Sequence, residues 1–284
     1  EYLARINGSL ASLNTYRVAG ANNVLLLILD DWGIDASELY NTRRPGIQLA
    51  TMPNLRTLLY SSGEITGTPD AGLLFTRGYA QPICSPTRAT ILTGRQTYQH
   101  GVGNPSPDNI LPASEETFPE IISRAAPAYG LASFGKWHLG SGNTGPRERG
   151  GWPNFSGTLQ GGVQDYNSWN RVKIEEGALV DPGTAITTLV ADGLYSSPYA
   201  TSVQVDEAVS FVEGRGSSPW VLWMGFNAPH DPFHDPPADL APAGGFSTSG
   251  VSNRDSYVRM LEALDTEIGR LLSSVDRDRT NIIV

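Results

Sequence analysis

Apolar runs and apolar stripes alternate along this chain. Val24-Leu-Leu-Leu-Ile-Leu29 is apolar throughout and short, which suits a buried parallel strand over residues 22–29. Leu131 to His138 reads as a second, short strand, Trp220 to Phe226 as a third, and Thr280 to Val284 as the start of a fourth. Between them the spacing becomes helical. Leu55, Leu58 and Leu59 share one face of a helix predicted over Met52–Ser62, and Phe118, Ile121 and Ile122 one over Glu115–Ala125. Val205, Ala208, Val209 and Val212 mark a helix over Val203–Val212. Tyr257, Met260, Leu261, Leu264, Ile268, Leu271 and Leu272 stripe one over Ser256–Ser273. Pro86 to Thr93 is predicted as a further helix, because proline fits a first turn and Gly94 suits the end. Strands alternating with helices argue for an α/β fold, a mostly parallel sheet with helices on both faces. Residues 139–201 are rich in Gly, Pro, Asn and Ser, and are predicted as loops with one small hairpin draped over the core.

Composition narrows the function classes. Hydrophobic residues make up 39% and charged residues 17%, which excludes a disordered chain, and the longest apolar run is too short for a bilayer span. The net charge is −9, with Lys136 and Lys173 the only lysines and no basic stripe, so nucleic-acid binding is not expected. An acidic protein that handles an anion must gather positive charge locally. One cysteine excludes an intrachain disulfide and a multi-cysteine zinc site. No signal peptide and no starting Met are visible, so a mature or trimmed form is expected. Asn7-Gly-Ser9 and Asn154-Phe-Ser156 match the glycosylation pattern, which arises readily by chance.

Four stretches could do chemistry. Asp30-Asp31 follows the first strand, where ligands gather in open α/β sheets. The pair is either a cap or tight turn, or a hard-cation site that relieves the repulsion of adjacent carboxylates. Cys84-Ser-Pro-Thr-Arg88 is either a buried cysteine before a helix or a thiolate at a helix start, and no histidine lies nearby in sequence to serve as its base. In Gly135-Lys-Trp-His-Leu-Gly140, strand alternation would project Lys136 and His138 together, with Trp137 on the other face. The pairing favours anion binding over a snorkelling lysine beside a core histidine. His230 sits at a strand end in Asn227-Ala-Pro-His230 and could be a general acid. His234 mimics zinc-helix spacing with His230, but Pro229 and Pro232 argue against a helix, so His234 is placed in a surface loop. His100 is given a structural or rim role.

Taken together, in this order, these stretches resemble the type I, formylglycine-dependent sulfatases of the alkaline phosphatase-like superfamily. The likeness runs from Asn22 to Val284 and rests on four segments. These are Asn23-Val-Leu-Leu-Leu-Ile-Leu-Asp-Asp31, Cys84-Ser-Pro-Thr-Arg88 with Leu92-Thr-Gly-Arg95, Gly135–Gly140, and the weaker Ala228-Pro-His230. The resemblance implies conversion of Cys84 to formylglycine by a formylglycine-generating or sulfatase-maturating enzyme. One hydroxyl of the aldehyde hydrate then attacks the sulfur of a sulfate ester, and the other helps expel sulfate. It further implies that Asp30, Asp31 and the modified Cys84 bind Ca²⁺, with Mg²⁺ as the other candidate, and that Arg88 reaches back to the hydrate. Lys136 would contact sulfate, His138 would assist deprotonation, and His230 would donate to the leaving oxygen. The implied substrates are aryl or carbohydrate sulfates, and the implied location is periplasmic or secreted.

The sequence departs from the family in one respect. Sulfatases of this class carry a later Asp-Asn pair and a further lysine, and this sequence stops before either, while Lys173 falls in the loop-rich insertion. Residues 1–284 are therefore expected to be the amino-terminal part of a single catalytic domain, with an incomplete metal site and weak metal binding alone. The missing ligands would come from a further segment or a second polypeptide. The competing readings are a phosphonate or phosphate monoester hydrolase of the same superfamily, and an inactive fragment or homologue. Trp152, Tyr166, Trp169 and Arg171 are candidates for lining the mouth of the site or for packing loops onto the core.

Overall fold

Strand β1 (Asn23–Ile28) divides its side chains between two cores, as alternation demands. Leu25 and Leu27 enter one hydrophobic cluster and Leu26 enters the other. The computed structural model describes residues 23–40, 46–65, 70–105, 110–186 and 198–284. The other strands are β2 (Gly130–Lys136), β3 (Asn154–Thr158), β4 (Trp169–Glu175), β5 (Ala178–Ile186), β6 (Trp220–Gly225) and β7 (Thr280–Ile283). They form one seven-stranded sheet in the order β5-β4-β3-β2-β6-β1-β7. The ladders from β3 through β7 are parallel, and β4 and β5 add an antiparallel hairpin at one edge. Every residue of β6 is buried, as its unbroken apolar run requires of a strand covered on both sides.

Helices α1 (Pro53–Arg56), α2 (Cys84–Thr93), α3 (Thr97–His100), α4 (Phe118–Ala125), α5 (Gly145–Glu148), α6 (Ala200–Arg215) and α7 (Asn253–Ser274) complete the described regular structure, with two short 3-10 turns. One face of the sheet packs on α6 and α7, where Val203, Ala208, Leu261, Leu264 and Ile268 meet Leu222 and Met224. Each fully buried leucine there contributes roughly 2 kcal/mol. The other face packs on α2 and α4, with Ala89, Leu92 and Phe118 against Val221 and Trp223. Ser252 caps α7: its Oγ accepts from the Asp255 N–H, while its own N–H donates to the Asp255 carboxylate. Gly94, with φ 66°, ends α2 in the left-handed region.

Four expectations are corrected. The helix expected over Met52–Ser62 stops at Arg56: the N–H groups of Thr57, Leu58 and Leu59 turn to carbonyls three residues back, and the Leu59 carbonyl accepts from Asp70 and Ala71. Ile121 of α4 is 43% exposed rather than inward. Residues 139–201 do contain a hairpin, β4–β5, but the stretch is no loose cover. Strand β3 pairs in parallel with β2, and the hairpin extends the sheet from it. Residues 187–197 of that stretch, Asn22 and the Asn7 match all lie outside the described residues. Finally, β2 ends at Lys136, and His138 has left-handed backbone (φ 55°), so strand alternation does not run through residue 138.

Candidate active site

Strands β2, β6 and β1 are parallel neighbours, so the residues that follow them emerge along one edge of the sheet. Asp30 and Asp31 leave β1, Lys136 and His138 close β2, and Asn227 and His230 follow β6. Two backbone bonds tie the exits together: Phe226 N–H donates to Ile28 O at 3.0 Å, and Asp30 N–H to Ala228 O at 3.3 Å.

Helix α2 brings the fourth component to the same edge. Cys84 is its first residue, and Ser85 Oγ donates to the His138 carbonyl at 2.7 Å. One turn on, Arg88 is fully buried, and its Nη1 donates to the Lys136 carbonyl at 2.5 Å. Gly225 makes room for it, since a Cβ there would lie 2.8 Å from Arg88 Nη1. Arg88 Nη2 lies 3.6 Å from Asp30 Oδ2 and has no hydrogen-bond acceptor among the described residues. Burial lowers the Arg88 pKa, opposed by the negative charge of Asp30, Cys84 and Asp31. A buried guanidinium N–H without an acceptor is costly, and an oxygen arriving at the site would satisfy it.

The Cys84 Sγ lies 3.1 Å from His138 Nδ1, and His138 Nε2 lies 3.2 Å from the Pro105 carbonyl. A carbonyl only accepts, so the proton is assigned to Nε2 and the Nδ1 lone pair faces residue 84. Burial, then the charges of Lys136 and Arg88, push the His138 pKa down to about 4, so the ring is neutral at pH 7. The base that no neighbouring sequence supplied for Cys84 thus arrives from 54 residues away. His230 turns Nδ1 toward the Asp231 carbonyl at 2.8 Å and presents Nε2 to Asp31 Oδ2 at 3.8 Å.

Asp30 is buried and its Oδ2 is ion-paired with Lys136 Nζ, while the Asp31 side chain is 61% exposed. Adjacent carboxylates are the donor type that Ca²⁺ or Mg²⁺ prefers, yet Ca²⁺ takes about six to eight oxygens. Among the described residues, no group of three or more His, Cys, Asp or Glu could hold a metal ion. The donors present therefore fit one side of a hard-cation site, and Lys136 supplies the counter-charge to Asp30 here.

Other candidates fall elsewhere. Trp152, Tyr166 and Trp169 are buried in the two cores, and Arg171 pairs with Asp181 and Glu207, so none forms an exposed mouth. Lys173 is not in a loop but in β4, paired with Glu175 and Glu207. His234 is no free surface residue: it stacks on Tyr166 at 4.4 Å and lies 3.0 Å from Tyr199 Oη. His100 is buried, 3.1 Å from Thr90 Oγ1, and its Nδ1 accepts from the Val102 N–H. The side chain of Asn154 bonds the Leu131 carbonyl and the Glu176 N–H. Sequence reasoning missed the buried Gln204–Asn227–Thr158 chain beneath the His230 loop. Asn227, polar at the end of an apolar strand, was its one visible signal.

Comparison with known proteins gives a consistent result. A family model described as Sulfatase matches residues 22–284. Human N-acetylgalactosamine-6-sulfatase is 27% identical over 275 residues, covering 88% of this chain and 46% of that protein. The N-acetylglucosamine-6-O-sulfatase of Bacteroides thetaiotaomicron is 28% identical over 261 residues, covering 90% and 38%. A solved structure of BT4656 with its substrate D-glucosamine-2-N,6-O-disulfate superposes with a TM-score of 0.61 at 18% identity, covering 92% of this chain and 64% of that one; this likeness bears on the fold alone. The chain spans half or less of the length of the curated relatives it matches.

Proposed function

The chain belongs to the sulfatase family, and on that premise we propose that it carries the nucleophile end of a sulfuric ester hydrolase acting on carbohydrate sulfates. The names of the two curated relatives point to a 6-O-sulfated amino sugar as the substrate class. The observation that carries the reading is the buried Arg88 Nη2, a donor without a hydrogen-bond acceptor among the described residues, 3.6 Å from Asp30 and within the electrostatic reach of Cys84.

Formylglycine at position 84 would supply a geminal diol in place of the thiol, and a divalent cation held by Asp30 and Asp31 would supply Lewis acidity beside it. The chain's own residues do the rest. Arg88 orients the side chain at position 84 through its free donor. Lys136, whose ammonium donates to Asp30, would hold sulfate oxygens with its remaining N–H groups. His138 accepts a proton at Nδ1, because its ring stays neutral well below pH 7 and its Nε2–H is committed to Pro105. His230, its Nδ1–H committed to the Asp231 carbonyl, would donate from Nε2 to the leaving oxygen when the ring carries a proton on both nitrogens. Attack and leaving-group donation thus come from different strand ends.

No described helix is long and apolar enough to cross a membrane. Export from the cytoplasm, with a maturating enzyme as partner, belongs to this proposal. Peptide mass spectrometry of the protein from its native host tests it. An aldehyde or its hydrate at position 84 is expected, and a wholly unmodified thiol would contradict the proposal.

A further inference from the structure

His138 and His230 stand on different loops, yet one short segment past β3 touches both. Resting on the hydrolase reading above, we propose that Gly161, Gly162 and Tyr166 are positioning residues that together set the two imidazoles of the site.

The segment's course is fixed by β2. Trp137 N–H donates to Thr158 O at 2.8 Å and His138 N–H to Leu159 O at 3.1 Å, so the chain leaving β3 runs beside His138. A Cβ on Gly161 would meet Cε1, Nε2 and Nδ1 of His138 at 2.6, 2.9 and 3.3 Å. The missing side chain is therefore the space the ring occupies. A Cβ on Gly162 would meet Cε1 and Nδ1 of His230 at 3.3 Å. Neither glycine is among the residues with positive φ, so alanine there acts through the rings and not through backbone strain.

Tyr166 completes the set. It is 1% exposed, and its hydroxyl donates to the His230 carbonyl at 2.8 Å. Its ring is held in turn by the stacked His234, which Tyr199 fixes through its hydroxyl. The His230 loop is thus pinned by its main chain through Tyr166, and its ring is bounded by Gly162.

The geometry grades the effects. Restoring ordinary contact of 3.4 Å at Gly161 moves the His138 ring by about 0.8 Å, away from residue 84 or Pro105. Misplacement on this scale costs up to about 100-fold in rate. Gly162→Ala needs a shift of about 0.1 Å at His230 and costs a few-fold at most. Tyr166→Phe removes one hydrogen bond from the loop, worth about fivefold.

The test uses the full-length enzyme with two readouts, sulfate release and the ring nitrogen resonances of the four histidines within residues 1–284. Gly161→Ala should shift the His138 resonances, leave those of His100 unchanged and lower kcat with little change in KM. Gly162→Ala and Tyr166→Phe should shift those of His230. In a His138→Ala background, Gly161→Ala should cost nothing further. Unmoved ring resonances in all three variants, or a Gly161→Ala loss that persists in full without the His138 ring, would overturn the proposal. Failure of the hydrolase reading would look different: no sulfate release from the unsubstituted enzyme, with the resonance shifts still as described.

Discussion

Replacing Lys136 with methionine removes the counter-charge of a buried carboxylate while nearly preserving side-chain volume. Lys136 is 1% exposed and its ammonium pairs with Asp30 Oδ2, itself buried. Breaking a buried ion pair from one side costs about 3–5 kcal/mol, since the remaining charge is stranded. Arg88 Nη2 stays 3.6 Å from the same oxygen, which sets the loss at the low end, about 3 kcal/mol. For a chain of this size that lowers Tm by about 6 °C. The assay is thermal melting in chelator-treated buffer of the wild type, Lys136→Met, Asp30→Asn and the double variant. The double variant should melt above Lys136→Met, because it no longer strands a carboxylate. A Lys136→Met protein melting within 1 °C of wild type, or a double variant no more stable than Lys136→Met, would refute the reasoning.

The remaining predictions concern the metal and two titrating groups. Calorimetry on residues 1–284 should find weak or no Ca²⁺ binding, because two carboxylates leave most of the coordination shell unfilled; tight stoichiometric binding would show that the donor set is complete. Asp265 accepts from the N–H groups of Asn54 and Leu55, yet burial lifts its pKa from 3.8 to about 6. The folded state therefore holds a proton that the unfolded state has released between about pH 4 and 6, and stability falls with rising pH by up to about 3 kcal/mol across that window. The stability difference between wild type and Asp265→Asn should follow this slope and level off above about pH 7; a flat difference from pH 4 to 7 would contradict it. The acid limb of kcat should lie well below the ordinary histidine range, following the lowered pKa of His138. Its appearance near pH 6.5 would assign the limb to another group.

The sequence made the central strands legible because β1 and β6 are continuous apolar runs, which only burial on both faces explains. The α7 stripe and the Gly94 stop were legible for the same local reasons. Strand β3 was not, since Asn154-Phe-Ser-Gly-Thr158 has one large apolar residue and earns its place by pairing with β2. Glycine at 157 is what lets it lie there: a Cβ would fall 1.8 Å from the Gly135 carbonyl oxygen. Of the proposed site residues, Cys84, Lys136, His138 and His230 could be picked out because each lies at or just past a strand end or helix start, and Arg88 because it lies one turn beyond Cys84. How they meet could not be read. Strand alternation was the argument for joining Lys136 to His138, whereas the left-handed turn at His138 is what delivers its ring to Cys84. Tyr166 reaches His230 across 64 residues, a contact that tertiary packing alone creates.

The most direct measurement is sulfate release from a 6-O-sulfated N-acetylhexosamine by the full-length protein purified from its native host, alongside its Cys84→Ala variant. The account predicts steady release by the wild type and a loss of at least about a thousandfold in the variant. Equal rates from the two proteins, or no release from a wild type whose residue 84 carries the aldehyde, would contradict it.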